Sequence, residues 1–377
     1  MTTLHDTLEA HVGDGKAPGA VALVARGDRL EVEAVGAVDV EGSAPMARDS
    51  IFRIASITKP LIAAAAMVLV EDGRIALDDE VSRWLPELAS PSVVRTPDAP
   101  VDDLVPAARP ITLEDLLTFR AGYGFPADFS LPAVALLFSE LMQGPPEPGE
   151  IPSPDDWMAA LARIPLLHQP GEAFLYNTCS DILGVLLARV SGLPLQDFLA
   201  ERIFQPLGMV DTGFWVPADK LARFTSSYQP DDDGIKLVDA PDGQWSSPPA
   251  FPSGAGGMVS TVDDWHAFGR MLLDDGGKVL TPESVRLMTT DHLTRAQRES
   301  GAIFLEGQGW GYGGSVDVDR TDPWNVPGRY GWVGGTGTTA HVTPSTGTVA
   351  IMMTQLAMTS PTPPAVMRAF WSYAGAR

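Results

Sequence analysis

The sequence is poor in cysteine and in cationic side chains. Of its 377 residues only Cys179 is a cysteine, so no disulfide can form within the chain. The 26 Lys and Arg residues face 48 Asp and Glu residues, which gives a formal net charge of −22. A surface this acidic repels nucleic-acid phosphates and anionic lipid, because binding them requires clustered cations. We therefore expect a small molecule as the partner and exclude nucleic acid.

Long hydrophobic runs and targeting signals are also missing. The longest strongly apolar run, residues 61–70, is half of the roughly 20 residues that span a bilayer, and it reads as a buried core helix. The first residues have neither the basic nor the apolar stretch of a secretion signal. These shortages predict a cytoplasmic protein that does not associate with membranes.

Motifs for metals, nucleotides and other nucleophiles are absent. The six histidines form no i,i+4 pair and no His-Glu-x-x-His motif, and one cysteine cannot make a thiolate cluster. There is no phosphate-binding Gly-x-x-x-x-Gly-Lys-Ser/Thr loop and no Gly-x-Ser-x-Gly elbow. We expect neither a metal nor a cofactor.

Strand-like patterns lie at both ends of the chain and helical patterns lie between them. Gly27-Asp28 separates two strand-like runs, as expected for a hairpin. Further strands are predicted at residues 309–316, 329–333, 338–342 and 346–354, before a closing helix at 364–373. Helices are predicted at residues 112–119, 155–164, 179–190 and 195–203.

This order predicts an α/β protein of the α+β type. Residues 1–76 and 245–377 are expected to form an antiparallel sheet flanked by helices, and residues 77–244 an inserted, mainly helical region. The insertion would supply the opposite wall of a cleft. Two stretches rich in proline, aspartate and small residues, 89–110 and 124–154, are interpreted as long surface excursions.

A Ser-x-x-Lys motif, Ser56 to Lys59, opens the apolar helix. Only five lysines occur in the chain, and Lys59 alone has a serine three residues before it. Residues three apart share a helix face, so the amine can approach the hydroxyl. Burial favours a neutral amine, and that amine or a neighbouring phenolate can take the serine proton. The alternative is structural: Ser56 caps the helix and Lys59 extends its amine to solvent.

Several segments together resemble a known enzyme family. These are FRIASITKP (52–60), VEDGRIALDD (70–79), ITLEDLLT (111–118), GGMVST (256–261) and the final strands. The chain resembles the penicillin-recognising serine hydrolases, and in particular is similar to family VIII carboxylesterases and class C β-lactamases. The resemblance covers most of the chain and implies a β-lactamase/transpeptidase-like fold.

The second motif implied by the resemblance is GEAFLYNT (171–178), before an apolar helix. It implies that Tyr176 lies beside Ser56 and Lys59 and acts as a base, its phenolate favoured by the ammonium. A core tyrosine at a helix start is the structural alternative. Class C β-lactamases carry Asn where this chain has Thr178, and Asn177 stands one residue early. Thr178 is the predicted substrate-binding residue, without the amide that recognises β-lactams.

The third motif lies in GWVGGTGT (331–338), where Trp332, Val333 and Gly334 replace the Lys-Thr/Ser-Gly of penicillin-binding relatives. It resembles the Trp-Gly-Gly pattern of family VIII esterases and implies substrate binding by these three residues. An indole in place of the lysine ammonium offers apolar contact instead of anion recognition, which favours neutral esters as substrates. The amides of Ser56 and Gly335 would form the oxyanion hole. A glycine-rich β-bulge is the structural alternative.

The sequence thus predicts a serine carboxylesterase that cleaves small esters through an acyl-enzyme on Ser56, with Lys59 and Tyr176 as proton-transfer partners. The same site would also suit an acyltransferase, an amidase or D-aminopeptidase, or a β-lactamase. A catalytically silent binding or scaffold protein that keeps the fold is a further alternative.

Overall fold

The protein is described here by a computed structural model that covers residues 2–13 and 16–375. Its centre is a seven-stranded antiparallel sheet in the order β2-β1-β13-β12-β11-β10-β9. The strands of this sheet are β1 (Gly19–Arg26), β2 (Arg29–Gly36), β9 (Gly309–Trp310), β10 (Ser315–Val316), β11 (Tyr330–Gly334), β12 (Thr338–Thr343) and β13 (Thr348–Thr354). Three two-stranded sheets pair β3 (Phe52–Arg53) with β8 (Val259–Ser260), β4 (Ser92–Val94) with β5 (Leu104–Pro106), and β6 (Ser227–Asp231) with β7 (Gly234–Asp239).

Helices cover both faces of the sheet and alternate with loops and short hairpins in the middle of the chain. They are α1 (Leu4–Glu9), α2 (Lys59–Glu71), α3 (Leu113–Leu117), α4 (Pro132–Leu141), α5 (Pro154–Leu161), α6 (Thr178–Ser191), α7 (Leu195–Leu199), α8 (Gln205–Leu207), α9 (Val262–Leu273), α10 (Pro282–Met288), α11 (Arg295–Ser300), α12 (Ala302–Leu305) and α13 (Ala365–Gly375). A π-helical segment, Ala200–Phe204, joins α7 to α8.

The two ends of the chain meet in the centre of the sheet. β1 pairs with β13 along all but its first residue, from Ala20 opposite Thr354 to Arg26 opposite Thr348. Alternate side chains of both strands enter two separate cores: one lies against α1 and α13, and the other against α2 and α9. Because both faces are covered, β1 is apolar throughout instead of alternating. The predicted antiparallel sheet flanked by helices is confirmed.

Helix α2 forms the floor of the larger core. Residues from Lys59 to Leu69 are buried on every side, as the uniformly apolar run predicted. It packs against α6, which brings the start of each helix to the same end of the molecule. Among the described residues, no single helix has the length and apolar character needed to cross a membrane.

Some elements of the structure differ from those that the sequence predicted. The single strand expected at residues 309–316 is a hairpin, because Gly313 turns with φ +71° and separates β9 from β10. The stretch expected as a surface excursion, 124–154, contains α4, and the stretch 89–110 contains the β4–β5 hairpin. The β6–β7 hairpin lies within the region expected to be mainly helical.

Candidate active site

Ser56 and Lys59 lie at the start of α2, and β3 comes directly before them in the chain. Ala55 adopts a left-handed conformation, φ +43°, and a short 3₁₀ turn then leads into the helix. For a residue with a side chain this backbone geometry is strained, and such strain concentrates at functional sites. The turn places the Lys59 Nζ atom 2.8 Å from the Ser56 Oγ atom. Ser56 is half-buried and lines the main cavity, so its hydroxyl is accessible from there.

The Lys59 amine has three oxygen neighbours. Besides Ser56 Oγ, these are Asn177 Oδ1 at 2.9 Å and the Ala255 carbonyl at 2.6 Å. Burial lowers the pKa of Lys59 to about 7, and the negative charge of Asp181 partly opposes this change. A neutral amine can donate its two N–H groups to Asn177 and Ala255. Its lone pair then faces the Ser56 hydroxyl, which is the arrangement that a general base requires.

Tyr176 completes the group around Ser56. Its phenol oxygen accepts a hydrogen bond from Trp332 Nε1 at 2.6 Å, and Lys59 Nζ lies 4.8 Å from its ring centroid. Burial raises the pKa of Tyr176 to about 12, although hydrogen bonds with Ser56 and Trp332 act in the opposite direction. The expected phenolate is therefore disfavoured, because desolvation outweighs the two hydrogen bonds.

A strained turn brings the Asn177 amide to Lys59. Asn177 has φ +86° and ψ −68°, and the Thr178 N–H donates to the Tyr176 carbonyl at 3.3 Å, which closes a three-residue γ-turn. This turn directs two consecutive side chains, Tyr176 and Asn177, toward Lys59. Asparagine tolerates positive φ better than most residues, and this is the sequence signal that could have identified the turn.

Thr178 lies behind the site rather than in it. Its side chain is fully buried and its hydroxyl donates to Gln143 Oε1 at 2.6 Å. Asn177, not Thr178, lines the cavity. The predicted contact of Thr178 with substrate therefore does not fit this arrangement, because Gln143 separates the hydroxyl from the open space.

Some residues of the third predicted motif line the cavity, and another packs behind it. Trp332, Val333 and Gly335 line the cavity. Gly334 does not: a Cβ atom there would lie 2.4 Å from the Ile54 carbonyl, so this glycine is needed for the close approach of β11 to the nucleophile segment. Gly335 is exposed, with free space around its α-carbon, as an oxyanion-binding position requires.

The cavity beside these residues has a volume of about 690 Å³ and is mainly apolar. Its aromatic wall, by which we mean Phe125, Phe129, Phe138 and Phe304, forms a continuous series of ring contacts that reaches Tyr176, where the Phe304 centroid lies 4.6 Å from the tyrosine ring. Phe129 and Phe138 are 37% and 40% exposed, so this wall also forms part of the cavity mouth.

Among the residues that the structure describes, those that line the cavity give a carboxylate no free cationic partner. Arg53 is buried, and its guanidinium donates to Asp239 and to the carbonyls of Thr225 and Ala240. The acidic side chains of Glu147, Asp181 and Asp239 also line the space. This electrostatic environment favours a neutral substrate over an anionic one. Within the described ranges, no cluster of three or more His, Cys, Asp or Glu side chains could hold a metal ion.

Comparisons with known proteins identify the family of the chain. The Beta-lactamase family model matches residues 4–367. Protein Rv1367c from Mycobacterium tuberculosis is 40% identical over 90% of this chain and 86% of its own length. Esterase EstB from Burkholderia gladioli is 34% identical over 78% of this chain and 74% of its own. Further relatives include an esterase and an acyltransferase from Penicillium species.

The fold is also found in solved structures. EstCE1, described as a hydrolase with promiscuous acyltransferase activity, superposes with a TM-score of 0.81 at 26% identity, covering 98% of this chain and 97% of its own. The expected β-lactamase/transpeptidase-like fold is thus confirmed. With a family match over nearly the whole sequence, the chain belongs to the β-lactamase family, whose members include esterases and acyltransferases.

Proposed function

We propose that this protein is a serine carboxylesterase in which Ser56 attacks the ester and Lys59 is the base. The observation that carries the proposal is the surroundings of the Lys59 amine: two acceptors occupy its N–H groups, and the third neighbour is the Ser56 hydroxyl. A serine becomes a useful nucleophile when an adjacent base removes its proton. The esterase relatives from Burkholderia gladioli and Penicillium support esters as the substrate class.

Acylation follows from this geometry. Lys59 takes the Ser56 proton as the oxygen attacks the ester carbonyl, and the amides of Ser56 and Gly335 stabilise the negative charge that develops on the carbonyl oxygen. Each donor of such a pair is typically worth about 3 kcal/mol in the transition state. Tyr176, neutral because burial raises its pKa, can donate its proton to the departing alcohol. The proton on Lys59 then restores the phenol.

Deacylation repeats the sequence with water in place of the serine. Water attacks the acyl-enzyme and gives a proton to the pair formed by Lys59 and Tyr176. The acid is then released, and Ser56 regains its proton. An alcohol in place of water would make the protein an acyltransferase. The apolar cavity favours this second activity, because an apolar alcohol gains burial there and displaces water.

Neutral esters with apolar groups are the proposed substrates. The aromatic wall offers apolar contact, and Arg53, which also lines the cavity, is already paired with Asp239. A carboxylate-bearing β-lactam would find acidic side chains instead of a free cation. Trp332 and Val333 contribute apolar surface beside Ser56.

A fluorophosphonate probe and a matched pair of serine variants test the proposal. We expect a covalent adduct on Ser56 by peptide mass spectrometry, and loss of both adduct and ester hydrolysis in Ser56→Ala. Ser360→Ala, which removes another hydroxyl from the same cavity, should keep both. Hydrolysis by Ser56→Ala at the wild-type rate would rule out the proposed chemistry.

The substrate class is tested with a panel of p-nitrophenyl esters, a chromogenic cephalosporin and D-amino-acid amides. We expect the esters to give the highest kcat/KM. A preference for the cephalosporin or for the amides would replace the esterase assignment with a β-lactamase or an amidase.

A further inference from the structure

A buried carboxylate that the proposed mechanism does not use lies behind Lys59. Asp181 stands in the first turn of α6 and is 6% exposed. Its oxygens accept hydrogen bonds from three donors: Ser253 Oγ at 2.7 Å, the Ala255 N–H at 3.0 Å and Gln143 Nε2 at 3.0 Å. Burial raises the pKa of the Asp181 carboxyl, but its three hydrogen-bond donors act in the opposite direction and favour the ionised form.

Asp181 and Lys59 bind the same residue from two sides. The Ala255 N–H donates to Asp181, while the Ala255 carbonyl accepts from the Lys59 amine at 2.6 Å. The loop carrying Ala255 can approach α6 only because Gly254 has no side chain: a Cβ atom there would lie 2.3 Å from the Ser180 carbonyl. The position of one of the two acceptors that orient Lys59 therefore depends on Asp181.

We propose that Asp181 is a positioning residue for the reaction at Ser56: it fixes the Ala255 carbonyl against Lys59, and its negative charge sets the pH range in which Lys59 acts as a base. The inference rests on the proposed function, since it assigns a role toward the lysine base.

Within the described part of the chain, Asp181 is the group whose charge acts on Lys59. The other neighbours of the amine are neutral: Asn177 and the Tyr176 phenol face it from the γ-turn, and Trp332 stands behind the phenol on β11. Burial raises the pKa of Cys179 on α6 to about 12, so its thiol is also neutral. The Arg53 charge is neutralised by Asp239.

The sign of the effect follows from this arrangement. A negative Asp181 favours the ammonium form of Lys59, so its removal must lower the pKa of Lys59. The base then becomes neutral at lower pH, and the acid limb of the kcat/KM profile moves in the same direction. A role in packing alone would lower activity or stability without moving this limb.

The experiment is the pH profile of kcat/KM for Asp181→Asn, measured with a neutral alkyl ester. We expect the acid limb to move by about one pH unit toward lower pH. The matched control is Asp264→Asn, another buried carboxylate near a helix start, bound by the Asp211 N–H and the Thr212 hydroxyl. It should lower stability and leave the limb in place.

Ser253→Ala provides a second variant if Asp181→Asn does not fold. It removes one donor from Asp181, which weakens the ionised form and should move the limb in the same direction by a smaller amount. If the acid limb of Asp181→Asn superimposes on that of the wild type, the inference is overturned. If Asp181→Asn is unfolded, the same result in Ser253→Ala overturns it. Full activity of Ser56→Ala would instead remove the proposed function itself, so the two failures are distinguishable.

Discussion

The two sides of the cavity are held in place by different forces. On the catalytic wall, by which we mean Ser56, Lys59, Tyr176, Trp332 and Gly335, the polar side chains are joined by short hydrogen bonds and Lys59 is almost completely buried. The aromatic wall is held by ring contacts, and two of its four rings are more than one-third exposed. Hydrogen bonds fix distance and direction, whereas apolar contacts tolerate changes of shape.

This difference indicates that the rate of the chemistry and the choice of substrate are controlled separately. Substitutions on the catalytic wall should slow the hydrolysis of every ester by a similar factor. Substitutions on the aromatic wall should change the ranking of esters and leave the smallest ester unaffected. The following predictions test this separation.

The largest effects are expected from the two proton-transfer residues. Lys59→Ala and Tyr176→Phe should each lower kcat by about 10³-fold for short and long esters alike, because general acid–base catalysis typically contributes about 10²–10⁴-fold. Steady-state kinetics on acetate and octanoate esters measure this, with exposed Lys278→Ala as the control. Near-wild-type rates in either variant would remove that residue from the mechanism.

The pH dependence should follow the Lys59 amine. The pKa of Lys59 is lowered to about 7, so the base is protonated below that pH and free above it. We expect kcat/KM at pH 5 to be roughly 100-fold lower than on the plateau above pH 8. Chromatography of the released acid avoids the pH-dependent absorbance of nitrophenol. A flat profile between these pH values would contradict a lysine base.

The hydrogen bond from Trp332 to Tyr176 should have a smaller effect. Trp332→Phe keeps an aromatic ring but removes the N–H donor, and we expect kcat to fall about tenfold with little change in KM, since one net hydrogen bond is worth about 1 kcal/mol or more. Trp310→Phe is the matched control: this neighbouring indole N–H is buried and has no acceptor among the described residues. Equal losses in both variants would indicate ring packing instead.

The smallest effect is expected on the aromatic wall. Phe138→Ala should lower kcat/KM about fourfold for a long-chain ester and leave an acetate ester unchanged, because one buried methylene is worth about 0.8 kcal/mol. The ratio of kcat/KM for octanoate to that for acetate gives the readout. A uniform loss across all chain lengths would mean that the two walls do not act separately.

Much of the site was predictable because its motifs are local. Ser56 and Lys59 are three residues apart, and one helical turn is enough to bring them together. The apolar run of α2 and the strand patterns at both ends also survive in the fold, because they depend on burial alone. The division into residues 1–76 with 245–377 and residues 77–244, and the cytoplasmic location, stay predictions.

Other features depend on tertiary contacts that no local pattern encodes. Asp181 has no motif: its role depends on a glycine in a loop more than 70 residues away along the chain. The neutral state of Tyr176 depends on the rings packed around it, since desolvation and not the nearby lysine decides its charge. The turn at Asn177 is not predictable from local sequence alone, because the contacts of the folded site compensate for its strained conformation.

The pairing of β1 with β13 links the order in which the chain is synthesised to the point at which the active site can form. The residues of β1 must wait for partners more than 300 positions later in the chain, and the indole that binds the Tyr176 phenol is synthesised almost as late. Pairings this distant in sequence slow folding. A nascent chain stalled before residue 332 would therefore hold its nucleophile and lysine without the indole that binds the Tyr176 phenol.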